Sequence, residues 1–304
     1  MTAGPRDYLH LHFLVVIWGF TAILGLLISI PAVEMVFYRT LLAAGGLAIV
    51  LTVRRLRFNI DRVDIVKITA TGFLIAGHWI LFFGSARVST ASVCLAGMAT
   101  TSFWTSLLEP WMTGRKVKLY EVLLGILVIA GLYIIFRFEV DHTLGLLMAL
   151  ASALLAALFT VINGKFTQRH NPFTITFYEM IGATLLIALF FPLYRISLAD
   201  QGQLQLGISR MDFFYLSILA FICTVYAYSA SVHLMKRISA FAINLTVNLE
   251  PVYGIILAVL IFGEREKMQP GFYLGALVIL ISVLAHPFLS RLYLRKQTIP
   301  DTLR

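Results

Sequence analysis

Residues 239–264 read SAFAINLTVNLEPVYGIILAVLIFGE, and the fold turns on how that stretch is understood. It is apolar and long enough to cross a bilayer, for which about 20 residues suffice, yet Asn244, Asn248, Glu250 and Pro251 sit at its centre. A carboxylate at mid-span costs about 2.5–3.5 kcal/mol on insertion scales, and Pro251 leaves the carbonyl of Val247 without its helical donor. The spacing therefore predicts a crossing helix that bends near Pro251 and faces protein or water at that depth. On a straight helix Asn244 and Asn248 share one face, while Thr246 and Glu250 lie nearly opposite. Polar partners are needed on both sides, which places this helix inside a bundle.

The rest of the chain fits that setting. Of the 304 residues 60% are hydrophobic and 13% charged, with a mean hydropathy of +0.89, too little polar surface to cover a soluble particle of this size. The expectation is an all-α, polytopic membrane protein. Apolar spans fall near 8–28, 33–53, 65–85, 91–112, 119–136, 143–163, 173–193, 213–234, 239–262 and 271–289, giving ten transmembrane helices. The first is longer than a signal-peptide core and reads as a retained helix. The longest connection, from Tyr194 to Asp212, carries Gln201, Gly202, Gln203 and Gln205 and reads as a solvated loop, and no segment outside the spans is long enough for a separate soluble domain.

The net charge of +9 would raise nucleic-acid binding in a soluble protein. Here the basic residues sit in short loops and at the tail, where lipid and topology account for them, so the expected partners are the bilayer and a small solute, with no nucleic acid. With the N-terminus in the cytoplasm, the inner side holds Arg6, Arg54, Arg55, Arg57, Arg62, Lys67, Arg115, Lys116, Lys118, Lys165, Arg169, Lys236, Arg237, Arg291, Arg295, Lys296 and Arg304. The outer side holds Arg87, Arg137, Arg195, Arg210, Arg265 and Lys267. That asymmetry predicts both termini inside. Cys94 and Cys223 each fall within an apolar span and behave as small hydrophobes.

The two halves match one another. Phe37-Tyr38-Arg39 corresponds to Phe177-Tyr178-Glu179, Arg87-Val88-Ser89 to Arg237-Ile238-Ser239, and Leu124-Gly125 with Leu127-Val128-Ile129 to Leu274-Gly275 with Leu277-Val278-Ile279. Residues 1–140 and 141–290 are thus two repeats, followed by a basic cytoplasmic tail, 291–304. Five spans per repeat is an odd number, so the second repeat is inverted relative to the first. Inverted repeats around a midplane site are the architecture of many secondary transporters.

The fourth span mirrors the ninth. Its Thr101, Ser102, Thr105, Ser106 and Glu109 share a broad arc, which points to a water-facing wall. Thr101 stands in the place of Pro251, so only the ninth span has a mid-span proline. His78 with Tyr228 and Trp79 with Ser229 occupy matching places in the third and eighth spans, and Trp18, Tyr226 and Tyr253 offer further aromatic faces. Arg39 and Glu179 are matching charges of the second and seventh spans, in gating or structural roles together with Pro251, and Arg39 needs a partner or a water path. Gly271 and Gly275 form a GxxxG for close packing or a dimer face, so the chain is expected to be a monomer or a homodimer. Glu264 and Glu266 read as solvated surface. There is no HExxH, GxSxG, P-loop or CxxC, so no metal, no cofactor, no ATP-driven step and no enzyme activity is expected.

Trp18-Gly19, Arg39, the run Leu249-Glu250-Pro251-Val252 with Gly263-Glu264 at its end, and the following Gly275 resemble the EamA family of the drug/metabolite transporter superfamily. The resemblance covers nearly the whole chain. It implies two inverted five-helix repeats, a central cavity lined by the third, fourth, eighth and ninth helices, and export of small metabolites such as amino acids, or of toxic organic compounds, across the bacterial inner membrane. The chain departs from the family pattern at Thr101, where the family repeats the proline, and at Gly114, where it often repeats the glutamate.

The expected substrate contacts are Thr101, Thr105, Glu109, Asn244, Asn248 and Glu250 as a polar wall, with His78, Trp79 and Tyr228 as aromatic contacts. Glu250 and Glu109 are the candidates for proton coupling, because burial disfavours the charged form of a carboxyl group. A nucleotide-sugar or sugar-phosphate carrier is an alternative, but its dianionic cargo calls for several midplane cations and only Arg39 qualifies. A membrane-embedded enzyme or sensor module would need a nucleophile cluster, metal ligands or an output domain.

Overall fold

The structure, a computed structural model, describes residues 3–58, 60–138, 142–263 and 269–298. Every regular element among them is helical. Arg265, Lys267, Glu264, Glu266 and the end of the basic tail, Arg304 included, lie outside the described residues.

Seven segments are long and apolar enough to cross a membrane: 5–27, 32–53, 62–88, 91–113, 143–166, 172–197 and 210–234. Helices at 119–138, 240–262 and 270–298 complete the ten spans. In chain order these are α1 (Pro5–Gly19) and α2 (Thr21–Leu27), α3 (Ala32–Val53), α4 (Arg62–Val88), α5 (Ala91–Met98) and α6 (Thr101–Thr113), and α7 (Leu119–Phe138). The second repeat has α8 (Thr143–Phe166), α9 (Pro172–Ser197), α10 (Arg210–Ser217) continuing through a π-helical stretch at Ile218–Tyr226 into α11 (Ala227–Leu234), then α12 (Ala240–Val247), α13 (Glu250–Phe262) and α14 (Pro270–Thr298). Several helices outrun the apolar windows of the sequence by a turn. Asp61 caps α4, Asn171 caps α9 and Ser209 caps α10, each accepting a backbone N–H, so the helices begin in polar end turns that hydropathy alone does not register.

The exterior is apolar: Ile49, Leu189, Ile196 and Trp111 are among the large hydrophobic side chains left exposed. The polar groups are inside, where Arg39, Glu179, Asn163 and Asn244 are buried, as a protein in lipid requires. Close approach at one crossing depends on missing side chains. A Cβ on Gly72 of α4 would stand 2.2 Å from the carbonyl oxygen of Glu179 on α9, and one on Gly182 would stand 2.0 Å from that of Thr69. Likewise Gly131 of α7 abuts the carbonyl of Gly275 on α14 at 2.8 Å from its would-be Cβ, so the tenth-span GxxxG packs at least in part within the chain.

Four spans are irregular at mid-depth. The first breaks at Phe20, the fourth at Ala99–Thr100, the ninth at Asn248–Leu249, and the eighth runs π-helical. The sequence predicts a bend in the ninth span alone, at its proline. The fourth breaks at the matching place without one, and hydroxyls there bond carbonyls of the preceding turn: Thr100 donates to Gly97 at 2.8 Å and Thr101 to Met98 at 2.6 Å.

Candidate functional site

The four broken spans meet around a cavity of about 100 Å³. Its walls come from the first, second, third, fourth, sixth, eighth and ninth spans, and include Trp18, Thr21, Arg39, His78, Trp79, Thr101, Phe159, Tyr228, Ser231, Asn244 and Glu250. A volume of this size holds several waters or a small solute. Broken helices at membrane depth are tolerated where they line such a space, since the exposed backbone groups find partners there.

Arg39 dominates the electrostatics. It is 3% exposed, its Nε donates to the Thr224 hydroxyl at 2.9 Å, and its guanidinium lies 3.8 Å from the centroid of the Trp79 ring. The Thr224 hydroxyl donates in turn to the carbonyl of Leu219, five residues back, which is the spacing of the π-helical turn. Among the described residues no carboxylate comes within ion-pair distance of Arg39, and Glu250 lines the same cavity. Arg39 and Glu179, matched by sequence, are therefore not partners. A cation–π contact in place of an ion pair leaves the guanidinium donors free for a ligand.

The aromatic residues form one side. Trp79 and Tyr228 meet edge to face at 6.3 Å, and Phe159 of α8 lies 6.1 Å from Tyr228 and 5.3 Å from His78. The Nδ1 of His78 faces Ser152, 2.8 Å from its hydroxyl and 3.0 Å from its carbonyl, so the ring is held against the sixth span while lining the cavity. Trp18 is fixed by its indole N–H, which donates to the carbonyl of Cys223 at 3.1 Å. Tyr226 instead meets His10 at 3.0 Å near the surface, and Tyr253 packs against Gly19 at the first-span break.

The expected polar wall divides in two. Thr101, Asn244 and Glu250 line the cavity. Thr105, Glu109 and Asn248 lie instead in a seam where the fourth and ninth spans cross. There Asn248 Nδ2 donates to the Ser102 hydroxyl at 2.6 Å, Asn244 Nδ2 to the Thr105 hydroxyl at 2.8 Å, and the backbone N–H of Phe241 to Glu109 at 2.9 Å. Glu109 also receives Arg115 at 3.1 Å, and Arg115 in turn reaches Glu121 at 3.1 Å. Thr105 and Ser102 each serve two ends, accepting from the ninth span while donating back to their own: Thr105 to the carbonyl of Thr101 at 2.7 Å and Ser102 to that of Ala99 at 3.5 Å. Pro251 opens α13 in its first turn, where a proline N–H is not needed. Glu179 lies outside the lining, its carboxyl accepting the Tyr228 hydroxyl at 3.2 Å.

Sequence reasoning missed Thr21, Phe159, Ser231 and the sixth span as a whole. Thr21 follows Trp18-Gly19, and its place beside that pair was the available signal. Phe159 ends the apolar run from Ala153, which carries none.

Two stretches, 8–137 and 143–285, match the model of the EamA-like transporter family. No curated protein matches the chain. Among solved structures, one described as a crystal structure of a protein superposes with a TM-score of 0.72 at 13% identity, over 94% of this chain and 99% of its own. At that identity the likeness speaks for the ten-span fold alone.

Proposed function

The chain belongs to the EamA-like transporter family, whose members are membrane transporters of the drug/metabolite transporter superfamily, and from that premise we propose that it exports a small zwitterionic metabolite, of the amino-acid kind, by alternating access and without ATP. The observation that carries this reading is Arg39: a cavity-lining guanidinium, stacked on Trp79, with no carboxylate at ion-pair distance among the described residues and with Glu250 elsewhere in the same cavity. A carboxylate on the cargo would take the guanidinium fork and an ammonium group would take Glu250. Trp79, Tyr228 and Phe159 would cover the apolar part. One cavity arginine suits a single carboxylate and is too few for a nucleotide sugar. The resemblance to a bacterial family and the cationic inner loops support a place in the bacterial inner membrane with both termini cytoplasmic.

The cavity lies between repeats whose mid-span backbones are already broken, so rocking one repeat against the other opens the same site to either side. The test is a growth-protection screen in a sensitive host challenged with amino acids, their analogues and organic cations, followed by uptake into proteoliposomes. Protection and flux confined to zwitterions, both lost in Arg39→Gln and Glu250→Gln, support the reading. Flux of organic cations that is indifferent to Arg39→Gln overturns it.

A further inference from the structure

Behind the cavity wall lies a carboxyl group that the binding reading does not use. Glu179, on α9, is fully buried, and its Oε2 accepts the hydroxyl of Tyr228 at 3.2 Å. The same hydroxyl accepts Nδ2 of Asn163, on α8, at 2.8 Å. Tyr228 is a cavity-lining residue; Glu179 and Asn163 are not. The phenol is thus the link between the wet space and the carboxyl.

Every group bonded to Glu179 is neutral. Its Oε1 is buried with no hydrogen-bond partner, and Oδ1 of Asn163, whose amide bonds the same phenol, is also without one. The mid-span groups on the neighbouring helices are engaged elsewhere: Arg39 of α3 with Trp79 and Thr224, His78 of α4 with Ser152. Tyr228 of α11 is the titratable group that touches it. A bare carboxylate in such a place has neither a cation nor a full set of donors, whereas a proton on Oε1 supplies the donor this cluster lacks. On the other side α4 packs against the Glu179 backbone at Gly72, which leaves Tyr228 as the cavity-lining residue that touches the carboxyl.

We propose that Glu179 is the proton-binding site of this transporter, loaded and unloaded from the cavity through the hydroxyl of Tyr228. Loading is a double transfer. Tyr228 passes its O–H proton to the Glu179 carboxylate while taking one from a hydronium ion in the cavity, leaving a water, an intact phenol and a neutral carboxyl group. Unloading is the reverse. Asn163 holds the phenol oxygen in line and does not itself change protonation. The coupling assigned to this proton rests on the transport reading above, whereas the proton site itself does not.

Two measurements test it on the full chain. In pH-difference infrared spectra of the protein in liposomes, a buried protonated carboxyl band should vanish in Glu179→Gln and shift in Tyr228→Phe. An identical band in Glu179→Gln overturns the proposal. In proteoliposomes supplied with radiolabelled neutral L-amino acids, Glu179→Gln should retain counterflow exchange within about twofold of the parent while losing acceleration by an imposed pH gradient. Acceleration that survives in Glu179→Gln, or is absent in the parent while exchange proceeds, overturns it. Absence of exchange in the parent removes the zwitterion reading, and the infrared band still decides the proton site. Should Glu179→Gln fail to fold, the infrared measurement on Tyr228→Phe decides, because that variant removes the hydroxyl and keeps the ring: a buried carboxyl band unmoved in it overturns the proposal.

Discussion

Arg39 is the residue on which the site depends, because Trp79 and Thr224 hold its guanidinium in place without neutralising it. Arg39→Lys keeps the charge but loses the planar fork and most of the stacking. Apparent affinity for a neutral L-amino acid should fall by tenfold or more, corresponding to about 1.4 kcal/mol, read from the concentration dependence of uptake. Arg39→Gln should lose more, about 2–5 kcal/mol, since the carboxylate of the cargo is then buried without a countercharge. In the seam, Thr105→Val removes the acceptor of Asn244 at nearly constant shape. Interhelical hydrogen bonds within membranes average about 0.6 kcal/mol and reach about 1.7, so a lowering of the melting temperature in detergent by a few degrees is expected. A drop in transport much beyond that loss of folded protein would mean that Thr105 also touches cargo.

The helices reach their close crossings through glycine. Gly182→Ala would place a methyl group 2.0 Å from the carbonyl oxygen of Thr69, so α4 and α9 must move apart. Overpacking of this kind costs about 1–3 kcal/mol, and a clear fall in thermal stability is expected. Gly164→Ala, with no atom within 4 Å of the added carbon, should leave the melting curve unchanged or raise it slightly. The helix breaks show how far such reasoning reaches from sequence. Pro251 announces one in the ninth span, while the equivalent break at Ala99–Thr100 is accompanied by the hydroxyls of Thr100 and Thr101, which bond carbonyls of the preceding turn. Threonines occur in straight membrane helices too, so that break has no unambiguous signature.

The molecule as a whole is a bundle with its polar groups inside and its apolar side chains outward. The orientation proposed above rests on charge in the connections, and on it single cysteines introduced at Lys118 or Lys165 should be labelled by an impermeant thiol reagent only from the cytoplasmic face, and one at Gln203 only from the opposite face. Labelling of all three from one side would defeat the assigned topology. Membrane residence, helix count and inverted duplication were legible in the sequence, because transfer free energy accumulates locally along each span and an odd number of spans per repeat forces the inversion. His78, Trp79, Tyr228, Asn244 and Glu250 were also legible as mid-span polar or aromatic residues in corresponding helices. Which of the polar residues face the cavity and which close the seam was decided by the tertiary structure. Helical periodicity assigns a face only while the helix runs unbroken, and each break at Phe20, Ala99–Thr100 and Asn248–Leu249 resets that angle. The sequence by itself determined that polar groups gather at mid-depth between two inverted repeats. Only packing decided that Arg39 rests on Trp79, Asn248 turns to Ser102 and Glu179 sits behind Tyr228, because those pairings join residues 40 to 146 positions apart along the chain.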